Sequence, residues 1–162
     1  MEQAFKERTG REFDPIYYML PQDQIDRVFG QDMVDIDPEF LGFTEQYMAL
    51  SWIIPNHWTV IDLGCAYAPQ AFCFKDHKEY VGVDLYTKER FAAPNSRYFT
   101  MPITEFIETQ LSGFDLDTTF AICSYVPPWH ADNMALARAA FKNVFTYYPA
   151  GGRSHILKQA GK

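Results

Sequence analysis

Three short, almost continuous runs of apolar residues constrain the fold of this chain most strongly. They cover residues 59–64, 80–84 and 119–124, and each ends in a glycine or a polar residue. A strand is apolar along its whole length when helices cover both faces of its sheet, as in parallel sheets. Patterns that predict helices alternate with these runs, at residues 69–74, 103–111 and 131–145. The alternation predicts a doubly wound α/β fold.

Two weaker strand candidates, at residues 97–99 and 155–157, bring the predicted sheet to about five strands, most of them parallel. Residues 1–57 have the pattern of helices and turns, with Pro55 ending the last helix. We therefore predict a single domain over residues 1–162, in which this helical extension packs on a Rossmann-like core formed by residues 58–162.

The composition disfavours several classes of partner. A net charge of -7 repels phosphate backbones, and the basic residues do not cluster in sequence, so nucleic acid is an unlikely ligand. No stretch approaches the roughly 20 apolar residues that cross a bilayer. The polar N-terminus is no secretory signal. The cysteines (Cys65, Cys73 and Cys123) lack the paired spacing of a metal site and are expected to be free thiols in the cytoplasm.

The first two apolar runs end in a candidate ligand site. Ligands of doubly wound folds bind beyond the carboxyl ends of the strands. Here the first strand leads into the turn 64–68, in which a glycine and two alanines leave room for a ligand close to the backbone. Asp84 ends the second strand about twenty residues after Gly64, the spacing at which a carboxylate meets the ribose of a bound nucleoside.

The chemistry of this turn distinguishes between nucleoside cofactors. A dinucleotide requires a third glycine around its pyrophosphate, whereas Pro69 follows this turn and has no N–H to donate. Asp62, within the strand ahead of the turn, would repel a pyrophosphate but suits a ligand with an ammonium and a sulfonium group. The turn therefore favours S-adenosylmethionine over NAD.

Four segments resemble class I S-adenosylmethionine-dependent methyltransferases. Residues 60–69 resemble their first motif, with alanines at the two later small positions, and residues 80–85 resemble their second strand with its ribose-binding acid. Residues 120–130 resemble the fourth strand and the catalytic loop, and residues 141–152 the helix and turn before the fifth strand. The resemblance implies this fold, truncated after the fifth strand and without the family's terminal β-hairpin. The fifth strand would then be an exposed edge that a homodimer or a partner could cover.

The resemblance also implies site residues. The cofactor-binding set is Asp62, Gly64, Cys65, Ala66, Tyr67, Asp84, Leu85 and Ser124. Within it, Asp62 and Gly64 would line the pocket for the amino-acid part of the cofactor. Asp84 would hold the ribose, and Leu85 would lie against the adenine. Ser124 and Tyr125 would face the transferring methyl group, and His130 is a candidate general base unless it serves at the surface or as a helix cap. Tyr67 would either stack near the cofactor or cover the turn. No metal site is expected.

Two functions remain open. The leading hypothesis is a methyltransferase acting on a small-molecule or protein acceptor. Residues 124–129 also resemble the motif of methyltransferases that act on exocyclic amines, but Val126 stands where that motif needs a side-chain carbonyl, which disfavours base methylation. The alternative is a catalytically inactive, methyltransferase-like binding or interaction module, which the two alanines in the turn and the short C-terminus favour.

Overall fold

A five-stranded parallel sheet lies at the centre of the computed structural model, which describes residues 16, 19–30, 40–124 and 132–148. The strands are β1 (Thr59–Leu63), β2 (Glu79–Asp84), β3 (Ser96–Thr100), β4 (Thr119–Ser124) and β5 (Val144–Tyr147). Their order is β3-β2-β1-β4-β5, and each neighbouring pair is parallel. The strand order reverses at β1, where doubly wound folds bind their ligands. The predicted Rossmann-like α/β fold is confirmed.

In the described part of the chain, the helices of six or more residues either precede β1 or lie between strands. They are α1 (Gln22–Phe29), α2 (Phe40–Ile53), the 3-10 helix η1 (Pro69–Phe74), α3 (Ile103–Gln110) and α4 (Asn133–Ala140). Asp132 caps α4, because its carboxylate accepts a 3.0 Å hydrogen bond from the amide of Ala135 and so satisfies a backbone donor that the helix leaves free. Among the described residues, no helix is both long enough and apolar enough to cross a membrane.

Helices cover both faces of the sheet, as predicted. Because strand side chains alternate between faces, Val60 packs toward one side and Ile61 toward the other. The first side is covered by α1, α2 and η1, and Tyr47 of α2 belongs to its buried cluster. The second side is covered by α3 and α4, which contribute Phe106 and Ala137. The described N-terminal helices therefore share a core with the strands.

The sequence-based prediction around the fifth strand was wrong. The helix predicted over 131–145 ends at Ala140, and Phe141 already has extended dihedral angles (φ -111°, ψ 141°). Residues 144–147 form β5 and pair with β4, since two β-branched and two aromatic residues in succession favour a strand. The strand predicted at 155–157 lies outside the described residues, as does the rest of 149–162.

Candidate functional site

The turn between β1 and η1 has the backbone of a glycine-rich loop. Gly64, Ala66 and Ala68 alternate along it with φ values of 87°, 50° and 59°, all in the left-handed region. This region suits glycine, whereas it costs an alanine about 1–2 kcal/mol because of its Cβ atom. The two alanines thus occupy positions of glycine type, and the turn keeps its shape at the expense of backbone strain.

The turn is hydrogen-bonded to the end of β2. The amide of Gly64 donates to the carbonyl of Val83 at 2.7 Å, and the amide of Ala66 donates to Oδ2 of Asp84 at 2.9 Å. Oδ1 of the same carboxylate accepts from the amide of Tyr86 at 2.8 Å. A carboxylate has about four acceptor positions, so half-buried Asp84 retains acceptor capacity toward a ligand at this edge.

Arg90 joins three segments around this edge. Its guanidinium donates to the carbonyls of Ala66, Asp84 and Tyr86, at 3.2, 3.2 and 2.5 Å, and to Oγ1 of Thr100 at 3.2 Å. The turn and the ends of β2 and β3 are thereby held together. Sequence reasoning missed Arg90, because three of its four acceptors are backbone carbonyls, which every residue carries.

Leu85 presents an open apolar surface at the same edge. Its side chain is 64% exposed directly after Asp84, although large apolar residues are ordinarily among the most buried. An exposed leucine beside a carboxylate with free acceptor capacity offers one apolar and one polar contact to a ligand.

Asp62 is directed into the protein and away from this edge. Its side chain is fully buried on the α2 side of the sheet. Oδ1 accepts a hydrogen bond from the Tyr47 hydroxyl at 3.3 Å, and Oδ2 accepts from Nε2 of Gln70 at 2.9 Å and from the Tyr80 hydroxyl. Burial raises the pKa of Asp62 to about 6, although the three hydrogen bonds oppose that rise.

Three other predicted cofactor residues also turn their side chains inward. Ser124 is buried at the end of β4, where its hydroxyl donates to Oε1 of Gln46 in α2. Tyr67 is buried in an aromatic cluster, with its ring centroid 6.3 Å from that of Phe91. This packing favours the interpretation in which Tyr67 covers the turn. Cys65 is buried too, and burial raises the pKa of its thiol.

The structure thus divides the predicted site. Gly64, Ala66, Asp84 and Leu85 come together at the carboxyl edge of β1 and β2, while the side chains of the remaining four cofactor candidates face the interior. The two predicted catalytic residues, Tyr125 and His130, lie outside the described residues, as does Trp129 of the Pro-Pro-Trp segment. Their roles stay predictions. Within the described part of the chain, no three His, Cys, Asp or Glu side chains form a metal site.

Sequence reasoning also missed the partners of Asp62. A signal existed for Tyr80. Pairing β1 with β2 places Asp62 opposite Gly82, and Tyr80, two residues before Gly82, projects toward the same face. No comparable signal existed for Tyr47 and Gln70, since α2 and η1 reach Asp62 only through the packing of the folded chain.

Comparisons with known proteins address the fold. No protein-family model matches the sequence, and no curated protein matches it. The crystal structure of EvdMO1 is similar, with a TM-score of 0.51 at 12% identity over 80% of this chain and 35% of that chain. At this identity the likeness concerns the fold alone, which is the Rossmann-like α/β fold described above.

Two further solved structures were matched. A putative type II methyltransferase from Anaeromyxobacter dehalogenans gives a TM-score of 0.45 at 16% identity, over 64% of this chain and 47% of that chain. Coclaurine N-methyltransferase bound to N-methylheliamine and SAH gives a TM-score of 0.46 at 14% identity, over 90% of this chain and 48% of that chain. Matches to this chain thus span about a third to a half of the length of these proteins.

Proposed function

We infer that this protein binds S-adenosylmethionine and transfers its methyl group to a small-molecule or protein acceptor. One observation carries the inference. The left-handed turn 64–68 is hydrogen-bonded through Ala66 to Asp84, and Leu85 stands exposed beside that carboxylate. The two features meet at the carboxyl edge of β1 and β2, where folds of this class bind their ligands.

The residues at this edge suit the parts of the cofactor. Asp84 would accept hydrogen bonds from the ribose hydroxyls with its remaining acceptor positions. Leu85 would cover one face of the adenine, and the turn 64–68 would pass close to the sulfonium end of the nucleoside. The bound cofactor supplies an activated methyl group together with its own leaving group, so the protein has mainly to hold the acceptor close and in line.

A methyltransferase-like binding module without turnover is the second candidate. The inward direction of Asp62 and Ser124 favours it, because the polar groups of both side chains are engaged by residues of α2. The two candidates differ in one measurable product. Methyl transfer converts S-adenosylmethionine into S-adenosylhomocysteine. A binding module leaves S-adenosylmethionine intact, whichever fraction of a cell extract is added as a source of acceptor.

Calorimetric titration tests cofactor binding. S-adenosylmethionine and S-adenosylhomocysteine are each titrated into the wild type, with NAD as the control ligand. The same titrations are run on Leu85→Ala and on Leu136→Ala. Leu136 is a matched control, since it is also an exposed leucine and lies on α4, which packs on the second face of the sheet. Both substitutions remove surface side chains, so both variants are expected to fold.

We expect saturable binding of the first two ligands and none of NAD. Leu85→Ala should weaken binding about fivefold, because apolar contact with the adenine is lost, while Leu136→Ala should bind as the wild type does. Absence of binding by both adenosyl ligands would contradict the proposed cofactor. Equal affinities of Leu85→Ala and wild type would contradict the adenine contact.

A further inference from the structure

The carboxylate of Asp62 is enclosed by hydrogen-bond donors from three elements. Tyr47 belongs to α2, Gln70 to η1 and Tyr80 to β2, and each donates to it. The side chain has no exposed surface. A ligand ammonium group could reach this carboxylate only by displacing a buried donor, which would leave that donor without an acceptor in the protein interior.

Gln70 connects this carboxylate to the turn by hydrogen bonds. Its Nε2 atom donates both to Oδ2 of Asp62, at 2.9 Å, and to the backbone carbonyl of Cys65, at 3.0 Å. Its Oε1 atom is buried and has no hydrogen-bond partner among the described residues. The two acceptors therefore fix the orientation of the amide, because nothing in the described part of the chain holds its oxygen.

The carbonyl that Gln70 holds lies at the centre of the ligand-binding turn. Cys65 stands between Gly64 and Ala66, two residues with left-handed backbone, and its carbonyl also accepts from the amide of Ala68 at 3.0 Å. Fixing this carbonyl fixes the peptide plane on which the left-handed residues depend. The turn thus receives support from the interior through Gln70 and from β2 through its own amides.

We propose that Asp62 is a positioning residue, which holds the turn 64–68 in its ligand-binding shape through Gln70 and makes no contact with the amino-acid part of the cofactor. The proposal rests on the proposed function for the identity of the ligand. It differs from the expectation drawn from the sequence, in which Asp62 lines the pocket for the amino-acid part.

Two ligands separate the two roles. S-adenosylhomocysteine carries the amino-acid part, and 5′-methylthioadenosine has the same nucleoside and sulfur without it. Both are titrated into the wild type, Asp62→Asn, Gln70→Met and the double variant, at a temperature where circular dichroism shows each protein folded. Asp117→Asn is the matched control, since Asp117 is exposed and lies in a surface ion pair with Lys142.

A positioning role predicts that Asp62→Asn lowers the affinity for both ligands by the same factor, about tenfold, because the turn that holds the shared nucleoside is loosened. Gln70→Met should do the same although it leaves the carboxylate in place, and the double variant should be no weaker than either single variant. Asp117→Asn should match the wild type. A loss confined to S-adenosylhomocysteine in Asp62→Asn, or unchanged affinity for both ligands, would overturn the proposal.

Amide hydrogen exchange tests the positioning role of Asp62 independently of the proposed function. If the wild type bound neither ligand, the proposed function would fail, and the support of the turn would still be measured without a ligand. Asp62→Asn and Gln70→Met should speed exchange at the amide of Ala68 relative to that of Ala121 in β4. Unchanged exchange at Ala68 in both variants would overturn the positioning role by itself.

Discussion

The backbone amide of Ala66 donates a 2.9 Å hydrogen bond to Oδ2 of Asp84, which joins the turn after β1 to the last residue of β2. The sequence predicts Asp84 as a ligand contact, and the structure gives its carboxylate a second task within the protein. Together with the bond from the amide of Tyr86, it satisfies two backbone donors at the edge of the site. Loss of this carboxylate therefore affects stability as well as any ligand affinity.

Asp84→Ala should lower the free energy of unfolding by about 1–3 kcal/mol, because two amides lose a charged acceptor. Urea denaturation followed by circular dichroism measures the change. Asp117→Ala removes an exposed ion pair with Lys142, which solvent screens, and should leave the free energy of unfolding close to that of the wild type. Equal midpoints for Asp84→Ala and the wild type would show that the two hydrogen bonds to the carboxylate contribute nothing.

Glycine at either left-handed alanine should stabilise the protein. Ala66→Gly and Ala68→Gly each remove about 1–2 kcal/mol of backbone strain from the folded protein. Against this, the greater freedom of glycine in the unfolded chain lowers stability by about 0.5–1 kcal/mol. We expect a net gain of up to about 1 kcal/mol at each position, measured by urea denaturation. Ala139→Gly, at an exposed helical position of α4, should instead lose up to about 1 kcal/mol. Losses at all three positions would contradict the strain in the turn.

Gly82→Ala should destabilise the protein by about 1–3 kcal/mol through overpacking. A Cβ atom at this position would lie 2.6 Å from the ring of Tyr98 and 2.7 Å from Sγ of Cys65, so β2 or the turn would have to shift. Gly113→Ala is the matched control, because the Cβ it would add has no heavy atom of another part of the chain within 4 Å. Thermal unfolding should show a lower midpoint for Gly82→Ala alone, and equal midpoints for both variants would contradict the close packing.

The buried carboxylate of Asp62 should make stability depend on pH. Its pKa is about 6 in the folded protein, against an ordinary value of 3.8, and burial is the main cause. Between these values the folded protein holds a proton that the unfolded chain has released. The contribution of Asp62 to stability is therefore full below about pH 4 and declines as the pH rises through about 6.

The difference between wild type and Asp62→Asn measures this effect, because the other acids are common to both proteins. From about pH 4 to about pH 7.5, the wild type should lose about 2–3 kcal/mol of unfolding free energy relative to Asp62→Asn, which is most of the amount that the change in pKa represents. Urea denaturation at a series of pH values gives both curves. Parallel curves would show that the carboxylate has the same pKa folded and unfolded.

The sequence alone determined the fold class and the placement of Gly64 and Asp84 at one edge of the sheet. Strands β1, β2 and β4 were predicted almost to the residue, because burial on both faces of a sheet requires continuous apolar runs. Gly64 and Asp84 were placed together for a related reason. Parallel strands end at the same edge of their sheet, so residues that follow two such strands become neighbours.

Only the tertiary structure decided where the side chains at that edge point. Asp62 was predicted to face a ligand, yet strand alternation directs it toward α2, where donors from three separate elements surround it. Arg90 became a link between segments through backbone carbonyls that no sequence pattern distinguishes. Strand β5 was mistaken for helix, because a short apolar run fits either period until its pairing with β4 selects one. Local patterns fix which elements form, whereas the partners of a buried polar group depend on packing between distant parts of the chain.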